Sequence, residues 1–288
     1  MSEVATLHAT LQEGLSMGAA LGVVEMETIT PIPLSVLIRT LNEADRLAGT
    51  LESVTPLGAE IVIIDAGSSD STVEIAHRYG AKVFTNPWPG FGPQRRFGEE
   101  KCSHDLIFSV DADEILPPKM VAEIRGRLLR ADSPRLMIVR KAITFPHHSR
   151  PPPLAYGHEQ ILIYDRRIAR TGLNPNWDKL EITEPAKVER VREPLWHFSM
   201  RNLEHQVIKH AKVGQLAADT QPERGRLQLV ARLITEFPLA FLKYYFARRY
   251  FLAGADGFTA AVVGAFSRFI RIAMMLERKD YGPRGSQP

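Results

Sequence analysis

The chain of 288 residues is short of several features that would assign it to a common class. It has one cysteine, Cys102, so an intrachain disulfide is excluded and a reducing compartment is allowed. A single thiol of this kind is more often packing than nucleophile. No Lys or Arg precedes Arg39, and Glu3 lies near the start, so the positive opening of a secretory signal is missing. No uncharged apolar run reaches the ~18–20 residues needed to span a bilayer. His147 and His148 have no spacing partner that would argue for zinc, and a surface loop is the default for them. No internal repeat or low-complexity segment is present. These absences give the expectation of a cytoplasmic protein that can lie on the inner face of the membrane without crossing it.

Charge is unevenly spread. Residues 1–186 carry 19 basic and 24 acidic side chains, whereas residues 187–288 carry 17 and 9. The last third is therefore the part suited to an anionic partner. Its cations alternate with aromatic and aliphatic residues across 241–251, which suits a phospholipid surface better than nucleic acid because apolar area is supplied along with charge. At ~100° per residue, Phe258, Val262, Phe266, Phe269, Ala273 and Leu276 share one helical face, with Arg268, Arg271 and Arg278 elsewhere. Such a helix can lie in a lipid interface or cover the protein's own core.

Residues 1–32 lack firm periodicity and read as an extension, with a short helix possible within 9–21. From Leu34 short apolar runs alternate with helical patterns, the signature of an α/β protein with a mainly parallel sheet. Strands are expected at 34–40, 60–65, 81–85, 105–110, 136–143 and 160–165, with helices at 44–54, 72–79, 93–101 and 117–130. Residues 166–198 look irregular, and helices follow at 201–218, 227–236, 238–251 and 258–276. Three domains result: the extension, an α/β domain over 33–198, and a basic helical region over 199–288.

Polar residues end each of three strands: Thr40-Leu-Asn42-Glu43, Asp65-Ala-Gly67-Ser68-Ser-Asp70, and Asp111-Ala-Asp113-Glu114. Open α/β sheets bind ligands beyond the carboxyl ends of their strands, so one crevice would collect all three. Asp111 and Asp113 offer alternate hard oxygen ligands to Mg²⁺ or Mn²⁺ bound also to phosphate oxygens. Gly67 permits a tight turn, Asp70 or Ser71 can cap the next helix, and Asp65 can accept a hydrogen bond from a base or ribose.

Segments 34–44, 63–72, 90–98 and 108–116, in that order, resemble the family 2 inverting glycosyltransferases, and most of all the bacterial enzymes that add glucose to a heptose of the lipopolysaccharide inner core. The resemblance implies a GT-A fold, a Rossmann-like nucleotide-sugar domain. It implies that Thr40, Asn42 and Glu43 line the nucleotide pocket, with Gly67 and Ser68 in its wall. Asp65 would meet uracil, and Asp70 would support that loop. Gln94, Arg95 and Arg96 would lie in a flexible segment beside the donor, where Arg can pair with phosphate. Asp111 would contact ribose or metal, and Asp113 would be the principal metal ligand. An inverting enzyme needs a general base for the acceptor hydroxyl. Similar proteins place an acidic residue in a His-Glu-type motif there; here the segment reads Asn176-Trp-Asp178-Lys-Leu-Glu181, leaving Asp178 or Glu181. His197 would add a metal ligand or phosphate contact.

The implied partners are UDP-glucose, a lipid-linked glycan acceptor and the membrane surface. A polyprenyl-phosphate transferase, a sugar-1-phosphate nucleotidyltransferase and a non-catalytic scaffold compete with this reading. The nucleotidyltransferase lacks its usual Gly-rich loop after the first strand. The scaffold has no use for clustered carboxylates.

Overall fold

The computed structural model describes residues 30–220 and 224–282, so the helix considered within 9–21 lies outside the described residues. From Pro31 the chain forms one compact unit. In chain order its first half comprises β1 (Ser35–Thr40), α1 (Leu47–Val54), β2 (Glu60–Asp65), α2 (Thr72–Arg78), β3 (Lys82–Thr85), α3 (Phe91–Lys101), β4 (Leu106–Asp111), β5 (Glu114–Ile115) and α4 (Pro118–Leu128). There follow β6 (Leu136–Ile143), β7 (Gly157–Asp165), β8 (Ala169–Thr171), β9 (Leu180–Ile182), β10 (Val188–Arg190) and β11 (Leu195–His197). The helical end comprises α5 (Leu203–Thr220), α6 (Arg226–Leu242) and α7 (Gly254–Tyr281).

The main sheet runs β3-β2-β1-β4-β7-β6-β11-β5, with β10 also on β6. Its first four strands are mutually parallel, and β7 enters antiparallel to both β4 and β6. Side chains alternate between faces. Val36, Ile38, Ile63, Phe108 and Val110 pack on one side with Leu47, Leu51, Met120 and Ile124 from α1 and α4. Leu37, Val62, Ile64 and Ile107 pack on the other with Tyr164 and Ile168. Burial of both faces is why these strands read as unbroken apolar runs.

Helix α1 forms because Leu47, Thr50, Leu51 and Val54 recur at helical spacing on the buried side, and it stops before Pro56 and Gly58, whose φ of 64° is left-handed. Proline at the first turn starts α4.

Two expectations are corrected. Residues 166–198 are not irregular: they supply four three-residue strands, two of which extend the main sheet beside β6. Each of those two pairs with residues distant in sequence, so no local periodicity announced it. The helical end is also divided differently. Pro238 lies inside α6 without ending it, and the break falls at 243–253 instead. There Arg249 takes a left-handed φ of 59°, and Gly254, where α7 begins, one of 57°.

Helix α7 turns a stripe of small residues inward, namely Gly257, Ala260, Ala261, Gly264 and Ala265, followed by Ile272 and Met275. Glu236 of α6 accepts bonds from Arg232, Arg268 and Arg271, locking α6 to α7. The segment Tyr250–Tyr281 is long and apolar enough, by length and composition, to cross a membrane, although it contains charged residues, and 39% of its apolar window is buried in the chain.

Candidate active site

Parallel register places the strand tips side by side: Thr40 of β1 opposes Asp65 of β2, and Arg39 opposes Asp111 of β4. Asp65 is 1% exposed and its carboxylate organises the loop after β2. Oδ1 accepts the backbone N–H groups of Gly67 (2.9 Å) and Ser68 (2.7 Å), while Oδ2 accepts the hydroxyls of Thr40 (2.8 Å) and Ser68. Burial works to raise the Asp65 pKa, but these four bonds overcome it and lower it. Gly67 has φ 98°, a value only glycine adopts without strain.

The loop after β1 is stitched to the loop after β2. Asn42, left-handed at φ 53°, donates its N–H to Ser68 Oγ and accepts from the Ser69 N–H at Oδ1. Asp70 accepts the N–H groups of Ala44 and Thr72, fixing the start of α2. Glu43 accepts from Arg46 and Arg201, and burial still raises its pKa. Arg201 also reaches Asp45, bonding across the 198/199 boundary drawn from the sequence.

At the end of β4, Asp111 lies between Arg39 Nη2 (3.1 Å) and Lys141 Nζ (3.1 Å). Burial opposes its ionisation, but Lys141, Arg39 and Arg95 overcome that and hold it well below the usual carboxylate range. Lys141 also sits 2.6 Å from Glu114 Oε1, and Glu114 Oε2 accepts the Asp111 N–H. The Glu114 carboxyl is fully buried, which raises its pKa despite Lys141. Two carboxylates thus share one buried ammonium.

Asp113 pairs through Oδ2 with Arg46 Nη1 at 3.3 Å and lines a cleft of about 330 Å³ together with Phe145, His147, Met200 and Arg201. β11 lies antiparallel to β5, bringing His197 opposite Glu114 and its Nε2 to 3.6 Å from Asp113 Oδ1. Burial works to lower the His197 pKa, but Asp113 overcomes it and raises it. The separation is too long for a hydrogen bond. The His197 Nδ1 is buried without a hydrogen-bond partner. Asp113 and His197 are the residues that would hold a Mg²⁺ or Mn²⁺, with the remaining ligands coming from substrate oxygens. Asp111 does not complete a trio: among the described residues no three His, Cys, Asp or Glu side chains converge on one point, and Asp111 is instead paired with Arg39 and Lys141.

The segment 172–179 closes the site from the far side. Phe91 and Gly92, at the start of α3, donate N–H groups to Pro175 O and Asn174 O. Asp178 Oδ2 consequently meets Arg39 Nη2 at 2.9 Å and Arg95 Nη2 at 2.7 Å. Glu181 instead lies exposed on β9, opposite Arg170 and beside Gly172.

Residues 90–98 are not a flexible donor loop but mostly the helix α3, and only Arg95 of the expected trio reaches the site. Gln94 is fully buried and bonds Asn86. Arg96 donates to Thr171 O at 2.8 Å. At helical spacing three consecutive side chains cannot share one direction. Arg39, Arg46 and Lys141 were missed in the sequence, and Glu114 was placed at a strand tip without a role. A cation inside an apolar strand, as in Leu37-Ile-Arg39 or Val139-Arg-Lys141-Ala142, was the available signal. His148 does not stand alone in a loop, since its Nε2 meets Asp256 at 3.1 Å. Cys102 is buried, and burial pushes its thiol up to about 12, which excludes a nucleophile.

Comparison with known proteins agrees with this architecture. The family model described as "Glycosyl transferase family 2" matches residues 35–174. An uncharacterised glycosyltransferase of Rickettsia felis is 30% identical, covering 85% of this chain and 89% of its own length. The lipopolysaccharide core biosynthesis glycosyltransferase LpsC of Rhizobium meliloti is 31% identical, covering 87% and 94%. A solved glucosyl-3-phosphoglycerate synthase from Mycobacterium tuberculosis is 27% identical over only 39% of this chain and 44% of that one, with a TM-score of 0.33. Two relatives matched along nearly their whole length, together with a sheet whose parallel half ends in clustered carboxylates, establish a GT-A enzyme: the chain belongs to the family 2 glycosyltransferases.

Proposed function

We propose that the enzyme transfers glucose from UDP-glucose, with inversion, to a hydroxyl of a lipid-linked glycan such as the lipopolysaccharide inner core. The observation that carries the reading is the shared guanidinium: Arg39 Nη2 touches both Asp111 and Asp178, so the candidate base adjoins the donor-side carboxylate. LpsC, whose name places it in lipopolysaccharide core biosynthesis, supports the acceptor class.

In this mechanism the loops after β1 and β2 hold the nucleoside, and Arg39, Arg95 and Lys141 supply positive charge beside the diphosphate. A divalent cation at Asp113 and His197 would neutralise charge on the departing UDP. Asp178, oriented by two guanidinium groups, removes the proton of the acceptor hydroxyl. The oxygen then bonds to the anomeric carbon as the bond to the diphosphate breaks on the opposite face. Acceptors enter by the cleft at Asp113, whose wall of Phe145, Met200 and Phe198 offers apolar area for a sugar ring.

The test is transfer of labelled glucose from UDP-glucose to purified core glycolipid, with and without manganese. Asp113→Ala should abolish metal-dependent transfer, with retention of the fold checked by circular dichroism because the variant also removes the ion pair with Arg46. Asp178→Asn should lose about 10²–10⁴-fold in kcat and Glu181→Gln less than about threefold. Undiminished transfer by Asp113→Ala, or equal losses in the latter pair, would refute the assignment. Transfer to polyprenyl phosphate in place of the glycolipid would replace the acceptor.

A further inference from the structure

Helix α7 packs inward with its small residues, which leaves the larger apolar side chains of the same helix outside. Phe258 and Phe266 are 49% and 47% exposed. They continue into an aromatic corner at 241–251, where Phe241 stacks on Tyr245 at 5.3 Å and both rings meet Phe258 at 5.7 Å. Phe246, 57% exposed, meets Tyr245 at 5.1 Å, and Phe251 meets the same ring at 6.2 Å. A soluble helix normally turns its aromatics to the core.

Charge at this corner has one sign. No Asp or Glu occurs between Glu236 and Asp256, and the two exposed cations of this stretch, Lys243 and Arg249, have no carboxylate partner among the described residues. Arg248 is different, its guanidinium lying 4.3 Å and 4.6 Å from the rings of Tyr156 and Tyr244.

We propose that this corner and the outward stripe of α7 lie in the interfacial layer of an anionic phospholipid bilayer, in its plane. Aromatic rings supply the buried apolar area, and Lys243 and Arg249 meet lipid phosphates. The in-plane orientation follows from Arg268 and Arg271, which are bound to Glu236 of α6; a spanning α7 would carry these charges into hydrocarbon or abandon its bundle. The corner is also joined to the cleft. Tyr250 packs edge-on against Phe145 at 5.0 Å, and Asp256 pairs with His148, while Phe145 and His147 line the cleft beside Asp113. Docking thereby presents the cleft to a lipid-anchored acceptor. This extends the glycolipid reading above, but its test needs no activity.

The experiment is sedimentation of the full chain with vesicles of phosphatidylcholine alone or containing about one-third phosphatidylglycerol. The expected result is binding to the anionic vesicles, release by alkaline carbonate, and about thirtyfold weaker partitioning for Lys243→Glu/Arg249→Glu. Phe246→Ala/Phe251→Ala should weaken it about tenfold or more. Both variants should keep the wild-type unfolding transition. Wild-type protein left in the supernatant, variants that bind unchanged, or retention through carbonate would overturn the proposal. So would a dimer in light scattering that Phe246→Ala/Phe251→Ala dissolves, because a second copy would then own the face.

Discussion

Replacing Lys141 with Met tests the electrostatic centre of the site. The ammonium is 3% exposed, 2.6 Å from Glu114 and 3.1 Å from Asp111, and their two charges raise its pKa although burial works to lower it. Methionine keeps the approximate length of the side chain and removes the charge. Asp111 would keep Arg39, but the fully buried Glu114 would lose its cation, and breaking a buried pair in this way costs about 3–5 kcal/mol. In a chain of this size that corresponds to a fall in Tm of roughly 6–20 °C. The pH dependence has a definite sign. Glu114 already has a folded pKa raised by burial, so its ionisation destabilises the fold above the unfolded value. Losing Lys141 raises it further, and the deficit of Lys141→Met should shrink as pH falls from about 8 to about 5 and Glu114 takes up a proton. The double variant Lys141→Met/Glu114→Gln should recover at least half of the lost stability, because one of the two charges is gone. Urea unfolding at both pH values provides the assay. A single variant less than about 1 kcal/mol destabilised, or a double variant no better than the single, would refute the reasoning.

Gly92→Ala would place a Cβ against Gly172 O and 2.6 Å from Asn174 O, both backbone atoms that cannot swing aside. The segment carrying Asp178 must shift, and kcat should drop about 10²-fold with the far side of the sheet unaffected, as hydrogen exchange would report. Glu60, held by Lys82, Ser103 and Ser35 against the opposing effect of burial, is lowered to about 2. Its contribution is present above the unfolded value of about 4.5 and is lost as pH falls towards about 2. Glu60→Gln should therefore cost about 1–2 kcal/mol at pH 7 and nothing at about pH 2, measurable by denaturant titration. Cys102 should resist iodoacetamide in the native protein and react at once in guanidinium; labelling of the native chain would contradict its burial.

Much of the parallel half of the sheet was legible in the sequence because its determinants are local. Strands β1, β2 and β4 are apolar runs ending in polar tips, and one register relation brings those tips together. Residues 172–198 were opaque for the opposite reason. β11 is only Leu195–His197, and its place depends on β5 and β6, far earlier in the chain. Arg39 and Lys141 were hidden likewise, since what matters is the carboxylate each meets across strands. In α7 the stripe of larger residues left a lipid interface and the protein's own core both open; the packing face is instead glycine and alanine, which allow the closer approach of neighbouring segments, and Tyr250 O lies where a Cβ on Gly257 would be. Hydrophobicity ranks side chains by size, whereas close packing rewards shape.

The reversal of direction at β7 divides labour along the sheet. In the proposed reaction the tips of the parallel strands would grip the nucleotide of the donor, while the connections 144–156, between β6 and β7, and 172–179, against the start of α3, would surround whatever receives the sugar. Descendants of such a chain could exchange those two connections, and with them the recipient, without disturbing the register that aligns Thr40 with Asp65. A scaffold arranged this way can diversify its products while its feedstock stays fixed.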